Sequence, residues 1–207
     1  MNLYRILTEM PWKGHQDEAG ALAAHPGGAV SVPPQKVALR LFLGVVGVMF
    51  ALFITAYIVR MELSDWRPMP ESSLLWFNTL ILFLSSIALQ WTRLALNRGQ
   101  ASKVKAGLLL GGLLTAGFVF GQVTVWRQMH AEGYILYNNP ANSFFYVLTG
   151  IHALHMLGGL WVWMRASFRA WSGATMEKIR LSIELCTVYW HFLVLVWLVL
   201  FALLSYT

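Results

Sequence analysis

Three histidines and one glutamate lie inside stretches that are otherwise apolar: His152, His155, His191 and Glu184. Imidazole ligates zinc, copper and iron, and it shuttles protons near neutral pH. His152 and His155 are one helical turn apart and share a helix face. Glu184 and His191 are separated by close to two turns, which puts them on one face, roughly 10 Å apart along the axis. Ionisable groups inside an apolar segment are costly and are kept for a reason. Two kinds of chemistry fit: a metal or proton site built from the imidazoles, or helix-to-helix hydrogen bonds made by each ring to a carbonyl, a hydroxyl or another helix.

The elements that must position these groups are visible in the composition. The chain is 57% hydrophobic and 12% charged, about half the charge of an average soluble domain, so most of it has no water to face. The apolar residues fall into five runs, approximately 37–59, 74–96, 104–126, 143–164 and 182–206. Each is long enough to cross a hydrocarbon core of about 30 Å as a helix, and too long for a barrel strand. The expected fold is an all-α membrane protein, a five-transmembrane-helix bundle over residues 37–207. Residues 1–36 read as a largely irregular segment with no signal peptide, in which Tyr4 to Leu7 and Pro11-Trp12 suit a membrane surface or a neighbouring chain. The single cysteine, Cys186, excludes an intrachain disulfide and reads as a packing residue.

The net charge of +6 does not indicate nucleic-acid binding, because the basic residues sort by connection. Arg5, Lys13, Lys36 and Arg40 precede the first run. Arg93, Arg98, Lys103 and Lys105 sit between the second and third, and Arg165, Arg169, Lys178 and Arg180 between the fourth and fifth. The other side holds Arg60, Arg67 and Arg127. The asymmetry predicts a cytoplasmic N-terminus and a C-terminus on the opposite, periplasmic side. Glu184 then lies near the cytoplasmic surface, with the three histidines near mid-bilayer. His155 and His191 fall at similar depth, where neighbouring helices would let them meet. A metal site would want a fourth ligand at that depth, and Glu184 is about two turns away.

Asn78, Thr79, Ser85, Ser86 and Gln90 mark the second run, and Gln122 and Thr124 the third. Gly111, Gly112, Gly117 and Gly121 stud the third, and Gly150, Gly158 and Gly159 the fourth. Small residues let helices approach closely, and amides and hydroxyls bond between them. Most of the ten tryptophans fall near predicted helix ends, where indole anchors at the interface. Trp190 and Trp197 instead lie inside the last run, on one face, and read as packing against a partner.

The stretch Asn142-Ser143-Phe144-Phe145-Tyr146-Val147-Leu148-Thr149-Gly150-Ile151-His152-Ala153-Leu154-His155-Met156-Leu157-Gly158-Gly159 resembles the penultimate helix of subunit III of the haem–copper respiratory oxidases. Tyr189-Trp190-His191-Phe192 with Val196-Trp197-Leu198, preceded by Glu184, is similar to that family's last helix. Asn78-Thr79 with Ser85-Ser86, and Phe118 with Gln122, resemble two earlier ones. The resemblance implies a five-helix subunit III lacking the two N-terminal helices of longer members. It implies a non-catalytic accessory subunit of a proton-pumping terminal oxidase that reduces oxygen to water with electrons from cytochrome c or quinol. Such a subunit contacts subunit I directly, with subunit II and small subunits elsewhere in the complex. It binds phospholipid and supports proton uptake, while haem and copper reside in the partner subunits.

Two positions depart from the family pattern. Gly44 to Met49 contains no acid where the family often has a glutamate, and Val194 stands where an aspartate is common. The residues left for a structural or proton-related role are Glu184, His152, His155 and His191, and helix or partner packing falls on Asn78, Thr79, Gln122, Trp190 and Trp197. The sequence also admits the subunit III-like partner of nitric oxide reductase, and an independent membrane transporter or metal-binding protein.

Overall fold

The computed structural model describes residues 33–67, 73–136, 139–173 and 175–206. Five helices fill them: α1 Pro34–Met61, α2 Ser73–Asn97, α3 Ala101–Ala131, α4 Pro140–Trp171 and α5 Met176–Tyr206. All five are long and apolar enough to cross a membrane. No strand occurs among the described residues. The expectations placed on Tyr4 to Trp12 lie outside them.

Most of the helices run past the apolar stretches that announce them. α4 continues to Trp171 rather than 164, and α5 begins at Met176 rather than 182. The added turns carry Arg165, Arg169, Lys178 and Arg180, which are good helix formers and can reach water. Hydropathy marks where hydrocarbon ends, whereas the backbone stops only where a cap ends it. Gly99 (φ 67°) and Gly133 (φ 88°) provide two such stops, in the left-handed region that glycine adopts freely. Around Gly99, the N–H of Gln100 donates to Ala95 O and that of Gly99 to Leu96 O. Around Gly133, Tyr134 donates to Met129 O and Gly133 to His130 O, so both ends are Schellman caps. At the other end, α4 opens on Pro140 with the Asn139 side chain accepting from Ala141 N at 3.2 Å.

α2 packs against α3 and α5, and α4 packs against α3 and α5, so these four helices close into a ring. α1 lies outside the ring and joins it through side chains. Its Val46, Phe50 and Tyr57 bury against Leu148 of α4 and Val196 and Leu200 of α5. The opposite stripe of α1, Leu41, Val45, Val48 and Leu52, is exposed along its length. In an apolar solvent such a stripe is at no disadvantage.

The glycines do what small residues do in membrane bundles. A Cβ on Gly112 would strike the Trp163 indole, one on Gly121 the Asn78 amide, and one on Gly159 the rings of Tyr189 and Trp190. Gly117 meets only Ile81 at 3.8 Å, so of the Gly117/Gly121 pair it is Gly121 that permits the close approach. Gly112→Ala should destabilise the bundle by about 1–3 kcal/mol through overpacking. Gly44→Ala, whose added methyl meets nothing within 4 Å, should change stability little. Unfolding by titration with denaturing detergent, followed by tryptophan fluorescence, checks both.

Candidate functional site

The polar side chains of α2 meet the aromatic and histidine side chains of α5 along one seam. Trp190 Nε1 donates to Ser85 Oγ at 3.2 Å, and Trp197 Nε1 donates to Thr79 Oγ1 at 3.0 Å. Ser85 passes its own proton to Leu82 O at 2.7 Å, and Thr79 to Leu75 O at 2.8 Å. The indoles repeat every two turns on α5, and the hydroxyls repeat at nearly the same interval on antiparallel α2. Each indole therefore finds one hydroxyl at its own depth.

His191 adds a third rung to this seam. Its Nδ1 lies 2.6 Å from Ser86 Oγ and its Nε2 lies 3.1 Å from Gln90 Oε1. A carbonyl oxygen only accepts, so the neutral ring carries its proton on Nε2 and accepts from Ser86 through Nδ1. Both ring nitrogens are thus spent on α2. His155 is held elsewhere, its Nδ1–H donating to Ile151 O of its own helix at 2.8 Å. The expected contact of His155 with His191 is replaced by these bonds, because α5 turns His191 toward α2 while α4 faces α5 from the other side. What joins His155 to α5 is its backbone: Tyr189 Oη donates to His155 O at 2.8 Å.

His152 has a different environment. Its side chain is buried, with rings of Trp197, Phe118 and Phe50 at centroid distances of 5.1, 6.4 and 6.5 Å. Neither ring nitrogen has a hydrogen-bond partner among the described residues. One turn toward the N-terminus, Thr149 accepts from Trp126 Nε1 at 3.1 Å and ties α4 to α3. Asn78 reaches across to α3, donating from Nδ2 to Phe118 O at 3.4 Å and to Gln122 Oε1 at 3.5 Å.

Glu184 lies at the far end of α5 from these groups. It pairs with Lys36 Nζ of α1 at 2.7 Å and stands 3.8 Å from Arg180 Nε. Arg40 and Arg93 line the same small pocket, of about 130 Å³. Sequence reasoning did not supply Lys36 as the partner of Glu184. The signal was present in the charge sorting, which puts Lys36 and Glu184 on the same side of the membrane. It also missed the Trp163 indole, which donates to Leu108 O at 3.1 Å in the gap left by Gly112. The described residues hold no group of three His, Cys, Asp or Glu side chains placed to grip one metal ion.

The sequence profile described as Cytochrome c oxidase subunit III matches residues 38–207, a span that takes in α2 to α5 and all but the first turn of α1. The chain belongs to the cytochrome c oxidase subunit III family. It is 30% identical over 147 residues to the probable cytochrome c oxidase subunit 3 of Mycobacterium tuberculosis, covering 69% of this chain and 72% of that one. To the cytochrome c oxidase subunit 3 of Synechocystis it is 33% identical over 171 residues, 79% of this chain and 71% of the other. To that of Thermostichus vulcanus it is 27% identical over 171 residues, 80% and 84% of the two chains. As a subunit III, it is a multi-pass bacterial membrane protein and an accessory subunit of a haem–copper oxidase. Val194 is buried in the core of the bundle.

The seam of this subunit III gives a direct prediction. His191→Leu removes two interhelical bonds and should cost about 1 kcal/mol, within the range measured for such bonds in membranes. A double-mutant cycle with Gln90→Ala, read by detergent-induced unfolding, should return a coupling energy clearly different from zero.

Proposed function

We propose that this chain is a stabilising partner packed directly against oxidase subunit I, that it binds phospholipid and supports proton uptake, and that the haem and copper of the complex reside in other subunits. The observation that carries this reading is the fate of the polar groups in the membrane. Many of them are consumed in bonds within this chain, to a neighbouring helix or to the carbonyl of the preceding turn, while the family match runs through all five helices. A side chain bonded on both sides positions helices and is poorly placed to bind and turn over a substrate. The relatives' names favour an oxidase over a nitric oxide reductase partner or an independent transporter.

The basic ends of the helices support a cytoplasmic N-terminus and a periplasmic C-terminus. Lys36, Arg40, Arg93 and Arg180 gather at one end, and the opposite end carries the Arg60–Asp65 ion pair. The pocket lined by Lys36, Arg40, Arg93 and Glu184 shares Leu39 and Leu185 with an apolar groove of about 330 Å³ lined by Phe42, Gly158 and Tyr189. A cationic pocket above an apolar groove suits a phospholipid headgroup and its chain. With no acid between Gly44 and Met49, the carboxylate that lines this pocket and could serve proton traffic is Glu184, held by Lys36.

Purification in mild detergent should bring a haem-containing partner with this chain, visible as a haem absorption spectrum. Recovery of a stable, haem-free single chain under gentle conditions would overturn the accessory role. Glu184→Gln should leave haem content intact and lower turnover mainly at high pH, where protons are scarce. A turnover profile parallel to that of the native complex across pH would leave Glu184 as a structural ion pair only.

A further inference from the structure

One flank of α5 is covered by neither neighbour. Trp190 and Trp197 face α2, and Val196 and Leu200 face α1. Between those directions runs a strip about 100° wide that carries Val188, His191 and Leu195, all exposed. α1 and α2 stand on either side of it as walls. The α1 wall is built of small residues. A Cβ on Gly47 would lie 3.8 Å from Phe192 of α5, one on Gly44 would meet nothing within 4 Å, and Ala51 is exposed on the same side. Small residues let a neighbouring helix approach closely.

The α2 wall is polar and incompletely paired. Gln90 is half-buried, and its Oε1 accepts from His191 Nε2. Its Nε2 donates to no described residue and, unlike Gln122 Nε2, is not sealed inside the protein. Arg93, one turn along, makes no hydrogen bond or ion pair among the described residues, and the Glu184 oxygens beside it are taken by Lys36 and Arg180. Gln90 sits about 10 Å from the Asn97 end of α2, a depth at which lipid offers acyl chains only. An unpaired amide N–H is costly there, and the tie to His191 keeps this one from swinging to the interface. The exposed faces of α3 and α4 differ. Leu113, Phe120 and Leu154 are apolar, and hydrocarbon solvates them at no cost. An amide donor and a cation in one line fit a partner with an acceptor and an acid at the same spacing. A transmembrane helix supplies both. A phospholipid carries its phosphate and esters at the interface and has no acceptor at the depth of Gln90.

We infer, given the accessory role proposed above, that this strip of α5, walled by α1 and α2, seats a transmembrane helix of oxidase subunit I that brings a hydrogen-bond acceptor to Gln90 and an acidic group to Arg93.

The test uses the natively purified oxidase complex. A photoreactive benzoylphenylalanine replaces Leu195 on the strip or, in a second preparation, Leu113 on α3; both positions are more than half exposed. After illumination, adducts are identified by mass spectrometry. Leu195 should give an adduct with the haem-bearing large subunit, and Leu113 should not. Gly44→Phe should leave this chain's own unfolding unchanged, because a Cβ there meets nothing within 4 Å, yet release the haem subunit in mild detergent. Gly150→Phe, equally open but outside the strip, should retain it. Gln90→Leu should make the haem subunit dissociate about threefold more readily than His191→Leu does, the factor of one interhelical hydrogen bond in a membrane. Both variants break the same internal bond, and only the first removes the outward amide. A Leu195 adduct with lipid or another chain only, a large-subunit adduct at Leu113 as strong as at Leu195, haem retained by Gly44→Phe, or equal release by Gln90→Leu and His191→Leu would each overturn the docking face while leaving the accessory role intact. A native preparation that carries no haem subunit would instead overturn the accessory role, and the docking face with it.

Discussion

Hydrocarbon supplies no hydrogen-bond partner, and the rest of this protein follows from that one constraint. A polar side chain carried into a span is stabilised by a partner on another helix or on its own backbone. The α2–α5 seam is the main solution. Two indole N–H groups and one imidazole of α5 meet Thr79, Ser85, Ser86 and Gln90 of α2, three rungs at three depths. Those bonds set the register of the two helices, since a slip by one residue would unpair all three at once. The glycines serve the same end. Gly121 lets the Asn78 amide lie against α3, and Gly112 admits the Trp163 indole to the Leu108 carbonyl.

The three membrane histidines illustrate how little a residue type says before its neighbours are known. His191 is bonded at both nitrogens and acts as a strut. His155 folds back onto the carbonyl of the preceding turn and leaves the helix-to-helix bond to its backbone oxygen, which accepts from Tyr189. His152, one turn away on the same helix, is boxed by Phe50, Phe118 and Trp197 with its nitrogens bare. No two of them share a hydrogen-bond partner, so the histidine content of the chain does not add up to a single reactive centre.

α1 stands apart from the four-helix ring. It is held by aromatic contacts around Phe50 and Tyr57 and by the Lys36–Glu184 ion pair at one end. Its other face presents an unbroken apolar stripe. That division of labour suits an accessory subunit of a membrane complex. The ring is stabilised from within by its interhelical bonds, and the outlying helix by its aromatic contacts and its ion pair.

Much of this was legible in the amino-acid sequence. The five spans, the small residues at close crossings and the family motifs around His152 and Trp190 are local patterns, since an apolar run of about 20 residues has few ways to satisfy its backbone other than as a helix. The identity of the polar residues also announced that the helices bond to one another. What only the tertiary structure decided is who bonds to whom. His191 pairs with α2 and not with His155, Glu184 pairs with Lys36 of a helix far away in the chain, and His152 is left with its nitrogens bare. Spacing along a helix tells which side chains share a face. The rotation of that face toward one neighbour or another is set by the packing of all five helices together, and no single segment contains it.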